Sequence, residues 1–131
     1  MQQILLDTNI VIYFLKEKAS VISLIKKYSH ASFSISIITW IEILAGSSFH
    51  NKNISELIRD IDFLVKIQLN EPIGMIAARF MQENLARGKK KSLADAIIAA
   101  TAMSGGIPLL TNNPKDFRRF KGLKIISPTD A

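Results

Sequence analysis

Cysteine is absent from the 131-residue sequence, and histidine occurs only twice. Without thiols the chain forms neither disulfides nor thiolate metal sites, so any metal must be held by oxygen or imidazole ligands. No stretch of about 18 uncharged apolar residues is present, which excludes a membrane-spanning helix. The N-terminal segment lacks the basic start of a secretory signal and carries Asp7 within its apolar run. We therefore expect one cytoplasmic domain over residues 1–131.

Basic residues are unevenly distributed along the chain. Residues 1–86 contain eight basic and eight acidic side chains, whereas residues 87–131 contain nine basic and three acidic ones, so the net charge of +6 lies in the last third. A one-sided basic region favours a polyanionic partner, although a solvated surface would have the same composition. The candidate nucleic-acid contacts are Arg87, Lys89, Lys90, Lys91, Arg118 and Arg119.

Apolar runs and helical spacings alternate along the chain. Short apolar or alternating runs predict strands at 3–6, 33–37, 65–69, 108–110 and 123–126. Amphipathic spacing, in several cases ended by glycine, predicts helices at 9–16, 19–29, 38–45, 54–64, 72–87 and 92–103. Strands separated by helices are typical of an α/β fold with a central, mostly parallel sheet and helices on both faces.

Four acidic residues occupy unusual positions. Asp7 directly follows the first strand, and Asp95 is the only charge of an Ala-rich helix. Asp116 lies at the start of a short helix that Asn113 and Pro114 would begin. Glu42 lies in a helix that is apolar on nearly every side, so its carboxylate is expected to be at least partly buried. Burial without a partner or a metal would cost several kcal/mol.

Each of these acids also has a purely structural explanation. Asp7 would cap a helix, a contribution of about 1 kcal/mol. Asp95 follows Ser92 at the spacing of a capping box, and Asp116 would favour the positive end of its helix. Glu42 would form a salt bridge. While the acids are considered singly, a structural role and a role in a functional site both stay open.

Considered together, the acids predict a metal site. The strand-to-helix junctions of a parallel sheet share one edge, where ligands bind in such folds, so the acids are expected to converge there. Two unit charges about 4 Å apart repel by about 4 kcal/mol at an effective dielectric near 20, so four carboxylates require a cation. Because His30 and His50 lie in polar segments typical of surface turns, the ligands would be oxygens, which suit Mg²⁺ or Mn²⁺. Such a metal activates water and orients a phosphodiester, and the basic last third would hold a nucleic-acid backbone.

Four segments carry a resemblance to a known family. In order they are Leu5-Leu6-Asp7-Thr8-Asn9, Ile41-Glu42, Ala94-Asp95-Ala96-Ile97-Ile98-Ala99-Ala100-Thr101-Ala102 and Leu110-Thr111-Asn112-Asn113-Pro114-Lys115-Asp116-Phe117. Their order and spacing, over essentially the whole chain, resemble the PIN domain family, and more narrowly its VapC ribonuclease toxins from toxin–antitoxin pairs.

The resemblance implies a single PIN-like domain and a set of functional residues. Asp7, Glu42, Asp95 and Asp116 match the family's catalytic, metal-binding acids, the fourth of which is the most variable. Asn9 and Thr111 match supporting residues, and Thr111 is expected to line the site. The resemblance further implies Mg²⁺- or Mn²⁺-dependent cleavage of single-stranded or loop RNA with 5′-phosphate and 3′-hydroxyl ends, homodimerisation, and inhibition by a VapB-type antitoxin.

Other functions remain compatible with parts of the pattern. A phosphatase with an aspartyl-phosphate intermediate would use Asp7 as nucleophile, but many such enzymes have a second aspartate at the position of Asn9. A receiver domain needs an aspartate at the end of the third strand, where this chain has Asn70-Glu71. A non-catalytic RNA- or protein-binding module would use the acids as helix caps. An autonomous RNA-processing PIN nuclease without an antitoxin has no distinguishing residue in the sequence.

Overall fold

The computed structural model describes residues 2–47, 51–86, 88 and 92–127. Within these residues five strands form one sheet in the order β3-β2-β1-β4-β5, and every neighbouring pair is parallel. The predicted α/β fold is therefore confirmed, with an all-parallel rather than a mostly parallel sheet. The strands are β1 (Gln3–Leu6), β2 (Ser32–Ser36), β3 (Val65–Ile67), β4 (Leu109–Leu110) and β5 (Ile125–Ile126).

The helices follow the predicted positions, including the short one at Pro114. They are α1 (Thr8–Leu15), α2 (Ala19–Lys27), α3 (Ile37–Ala45), α4 (Ile54–Asp60), α5 (Glu71–Ala86), α6 (Leu93–Gly105) and α7 (Pro114–Phe117). Gly46 ends α3 as expected, and Gly106 ends α6 in the left-handed conformation, with φ 62°, that glycine adopts most easily.

Several elements end earlier than predicted, among them α2, which ends at Lys27 rather than at residue 29. Helix α4 ends at Asp60 rather than at residue 64, but Ile61 and Leu64 in the following turn are still buried in the core. Strand β3 ends at Ile67 rather than at residue 69, because Asn70 already caps α5 by accepting a 3.0 Å hydrogen bond from the Ile73 N–H.

Helices cover both faces of the sheet, as predicted. Successive strand residues point to opposite faces, so Leu5 of β1 joins one hydrophobic cluster and its neighbours Ile4 and Leu6 join the other. The Leu5 cluster includes the apolar faces of α5 and α6, and the second cluster includes those of α1 and α2. The helices thereby hold the sheet between two apolar layers.

The strand order places a crevice at the carboxyl ends of β1 and β4. Strand β2 lies on one side of β1, whereas the chain crosses over after β3 and places β4 on the other side. Ligands of open α/β sheets bind at such a reversal of strand order. Asp7 directly follows β1, and its N–H donates a 3.0 Å hydrogen bond to the carbonyl of Leu110 at the end of β4.

Two expectations on other segments can also be compared with the fold. No helix among the described residues is long and apolar enough to cross a membrane. His30 lies exposed in a turn after α2, as predicted, whereas His50 is outside the described residues.

Candidate active site

Asp7 is the buried acid of the site. Its side chain is only 5% exposed and stands at the N-cap position of α1. Its Oδ1 accepts a 2.7 Å hydrogen bond from the Thr8 N–H, and its Oδ2 accepts a 2.8 Å hydrogen bond from the Thr111 hydroxyl. Burial raises the pKa of Asp7, while these two hydrogen bonds lower it and the nearby Glu42 and Asp116 raise it further. The capping explanation is thus correct in position, and the carboxylate is also held rigidly.

Glu42 corrects an expectation from the sequence. Its side chain is exposed rather than partly buried, because the outer side of α3, with Ile41 and Glu42, faces the solvent and the crevice. No salt bridge involves Glu42 in the part of the chain that the structure describes. Its Oε1 instead accepts a 2.7 Å hydrogen bond from the Thr8 hydroxyl, which ties α3 to the start of α1.

Asp95 stands in the first turn of α6. The Ser92 hydroxyl caps this helix by accepting a 3.3 Å hydrogen bond from the Asp95 N–H, as the capping-box spacing predicted. The carboxyl group of Asp95 is half-buried, and its pKa is raised from 3.8 to about 6. Burial is the largest cause, followed by the negative charges of Asp7, Asp116 and Glu42.

Asp116 lies exposed in the first turn of α7. Pro114 begins this helix as predicted, but the Asn113 side chain makes no capping hydrogen bond. The backbone N–H of Asn113 donates instead to the Thr111 hydroxyl at 3.0 Å. The Asp116 carboxylate raises the pKa values of both Asp7 and Asp95, so its charge acts within the same site.

One cavity of about 360 Å³ brings these side chains together. Its lining residues are Asp7, Thr8, Asn9, Ile12, Glu42, Gly46, Asp95, Asn113, Asp116 and Phe117. The four acids come from positions far apart in the sequence but share this cavity, and so does Asn9. Thr111 does not line it: it is fully buried behind Asp7 and acts only through its hydrogen bonds.

The acids fit a hydrated divalent cation better than a bare one. Within residues 2–47, 51–86, 88 and 92–127, no three acidic or histidine side chains are close enough together to enclose a metal ion. The charges of Glu42 and Asp116 nevertheless raise the pKa of both Asp7 and Asp95, which places the four acids around one space. Mg²⁺ keeps several of its waters and is commonly held by one or two carboxylates, so spread oxygen ligands around an open cavity suit it.

Of the six candidate nucleic-acid contacts, Arg118 and Arg119 are among the residues that the structure describes. Arg118 is exposed directly after α7, near the cavity residue Asp116. Arg119 is half-buried: its guanidinium lies 5.2 Å from the centre of the Phe120 ring, burial lowers its pKa, and its Nε is buried without a hydrogen-bond partner among the described residues. Arg119 is therefore the less accessible of the two. Arg87, Lys89, Lys90 and Lys91 are outside the described residues.

Two hydroxyl residues of the site were missed by sequence reasoning. Thr8 bridges to Glu42, and the buried Thr39 lies with its Oγ1 2.9 Å from the Thr8 Oγ1. Their only signals in the sequence are that Thr8 follows Asp7 and that Thr39 is a hydroxyl residue three positions before Glu42 in an apolar helix. Neither signal is specific.

Fold and cavity together define the class: an α/β protein with an acidic cavity at the point where the strand order of its parallel sheet reverses. Comparison with known proteins agrees. The family model of the PIN domain matches residues 4–123. Ribonuclease VapC1 of Rickettsia felis is 30% identical over 132 residues, which cover 95% of each chain.

Solved structures show the same similarity. A toxin–antitoxin complex from Klebsiella pneumoniae has 27% sequence identity and a TM-score of 0.78, over 95% of this chain and 96% of the other. VapBC-1 from nontypeable Haemophilus influenzae has 26% sequence identity and a TM-score of 0.82, over 98% of this chain and 99% of the other. The chain belongs to the PIN domain family and, within it, to the VapC ribonucleases.

Proposed function

We propose that this chain is a metal-dependent endoribonuclease and the toxin of a VapBC-type toxin–antitoxin pair. The observation that carries the proposal is the cavity at the carboxyl ends of β1 and β4, which Asp7, Glu42, Asp95 and Asp116 line together. Support comes from the family, since the relative with 30% identity is named a ribonuclease.

The four acids would hold Mg²⁺ or Mn²⁺, partly through water. When bound, the cation supplies a water of lowered pKa and neutralises charge on the phosphodiester. Asp7 is the most rigid of the four, because two hydrogen bonds orient both of its carboxylate oxygens. Glu42 and Asp116 are exposed at the mouth of the cavity, where the RNA phosphate would enter.

The chain's own residues would orient the RNA backbone beside these acids. Lys115 and Arg118 are exposed and flank Asp116 in the sequence, so positive charge lies next to the cavity. Cationic side chains of this kind bind phosphates without reading the base sequence. Asn9, exposed at the cavity wall, offers an amide that can bind a phosphate oxygen or a bound water.

The proposed partners follow from the family. A related complex is described as a toxin–antitoxin complex, which supports a VapB-type antitoxin as the inhibitor of this chain. Homodimerisation belongs to the same proposal. A cytoplasmic location is proposed because cellular RNA is the proposed substrate.

The decisive experiment compares two aspartate variants. Asp7→Asn removes the charge of the buried acid, whereas Asp62→Asn removes the charge of an exposed aspartate that does not line the cavity. Each purified variant is incubated with labelled total RNA in Mg²⁺, in Mn²⁺ and in chelator, and its folding is checked by circular dichroism. We expect metal-dependent cleavage by the unaltered protein and by Asp62→Asn, and none by Asp7→Asn.

Other outcomes would contradict the proposal in distinguishable ways. Equal cleavage by all three proteins would indicate a contaminating nuclease. RNA binding without cleavage by any protein, in either metal, would favour a binding module whose acids serve as helix caps. Cleavage that persists in chelator would refute the metal dependence but keep the nuclease.

A further inference from the structure

Thr39, like Thr111, is a fully buried member of the hydrogen-bond network of the site. It lies fully buried in the first turn of α3, three residues before Glu42. Its Oγ1 is 2.9 Å from the Thr8 Oγ1, and the Thr8 Oγ1 is 2.7 Å from Glu42 Oε1. The three side chains thus form a continuous path from the core to the cavity.

The direction of these hydrogen bonds follows from the number of protons. Each threonine hydroxyl has one proton and can donate only one hydrogen bond. Thr8 donates its proton to the Glu42 carboxylate, so it can only accept from Thr39. The hydrogen bonds of this path are therefore all donated in the same direction, towards Glu42. Each donated hydrogen bond polarises and strengthens the next, and the effect is greatest for the bond that ends on the charged carboxylate.

We propose that Thr39 is a positioning residue for Glu42. Glu42 is exposed and would otherwise sample several rotamers in solvent. The buried Thr39 hydroxyl holds Thr8, and Thr8 holds Glu42 at the cavity. Because Thr8 also provides the backbone N–H that binds Asp7, the same path sets Glu42 relative to Asp7. This inference rests on the proposed metal-dependent function.

A purely structural role of Thr39 makes a different prediction. If Thr39 mattered only for core packing, its methyl group would be the important part. Thr39→Val keeps the shape and the methyl group but removes the donor, whereas Thr39→Ser keeps the donor and removes the methyl group. The two variants therefore separate positioning from packing.

The test is the dissociation constant of Mn²⁺, measured by titration calorimetry. We expect Thr39→Val to weaken binding about tenfold, the lower end for residues that orient a metal ligand. Thr39→Ser should bind like the unaltered protein. In a Glu42→Gln background Thr39→Val should cause no further loss, because the ligand that it positions has been removed. Thr8→Val breaks the same path one step later and replaces Thr39→Val if that variant does not fold.

A second measurement needs no metal. In chelator the changes in melting temperature caused by Thr39→Val and Glu42→Gln should be non-additive, since both substitutions break one path. Three results would each overturn the positioning role. They are additive changes in melting temperature, an unchanged Mn²⁺ affinity of Thr39→Val, and a loss of Mn²⁺ affinity in Thr39→Ser equal to that in Thr39→Val. If Asp7→Asn and Glu42→Gln also leave Mn²⁺ binding unchanged, the metal site itself is refuted, and the positioning role falls with it.

Discussion

Asp95→Asn is expected to stabilise the metal-free protein at neutral pH. The pKa of Asp95 is raised in the folded state, first by burial and then by the charges of Asp7, Asp116 and Glu42. A folded-state pKa above the unfolded value means that the stabilisation from proton binding is fully present below about pH 3.8 and is lost as the pH rises through about 6. At pH 7.5 the unaltered protein therefore carries the cost of an ionised Asp95, which asparagine lacks.

The size of this effect can be worked from the shift in pKa. A change from 3.8 to about 6 sets an upper limit of about 3 kcal/mol. Asp95 is only half-buried, so screening by water reduces the limit to about 1–2 kcal/mol. Asparagine also loses the favourable interaction of a carboxylate with the N-terminus of α6, about 0.5 kcal/mol. The expected net gain is about 1 kcal/mol at pH 7.5, with no gain at pH 4.5.

Urea unfolding in chelator at the two pH values measures this difference. Asp62→Asn, at an exposed position outside the cavity, is the matched control and should change stability by less than about 0.5 kcal/mol at both pH values. The argument would be refuted if the stability difference between Asp95→Asn and the unaltered protein were the same at pH 4.5 and pH 7.5. Such a result would show that the ionised Asp95 carboxylate does not destabilise the folded protein. Excess Mn²⁺ should reverse the order, since binding to the complete site stabilises the folded state.

Three further substitutions are tested by thermal unfolding in chelator. Thr111→Val removes the hydroxyl that donates to Asp7 at 2.8 Å and should lower stability by about 1–3 kcal/mol; no change would show that this bond is not needed in the fold. Asn84→Leu should raise stability by about 1–2 kcal/mol, because the Nδ2 of Asn84 is buried without a hydrogen-bond partner among the described residues; a loss would indicate that the larger side chain does not fit. Gly122→Ala should lower stability by about 1–2 kcal/mol, since φ is 88° and the new Cβ would lie 3.2 Å from the Met103 Cε; an unchanged melting temperature would contradict this.

Local patterns predicted most of the fold because they depend on neighbouring residues. The apolar run before Asp7, the capping residue Ser92 and the glycine at 106 each act within one or two turns of their own element. Periodicity was insufficient where the core accepts apolar side chains from either a helix or a turn. Ile61 and Leu64 satisfy helical spacing and are buried, yet they lie beyond the end of α4.

The wrong prediction for Glu42 has a similar cause. An apolar neighbourhood in the sequence does not guarantee an apolar neighbourhood in space. Helix α3 lies beside the cavity, however, and its Ile41 is 50% exposed while Ile43 is buried. Composition does not specify which side of such a helix meets solvent. The hydroxyl contacts of Glu42 and Asp7 were equally inaccessible to sequence reasoning, because Thr111 is 104 residues away from Asp7 along the chain.

The strand order explains why the acids meet at all. Local patterns locate the strands but are the same for every order of strands in the sheet. In the order β1-β2-β3-β4, three strand spacings of about 4.8 Å would separate β1 from β4, roughly 14 Å. The 2.8 Å hydrogen bond between Asp7 and Thr111 would then be impossible, and α7 with Asp116 would lie far from Asp7. The chain instead returns after β3 to the other side of β1, so the residues that follow β1 and β4 become neighbours. The acidic cavity is therefore a consequence of this one crossover, along which α5 and α6 pack against the sheet.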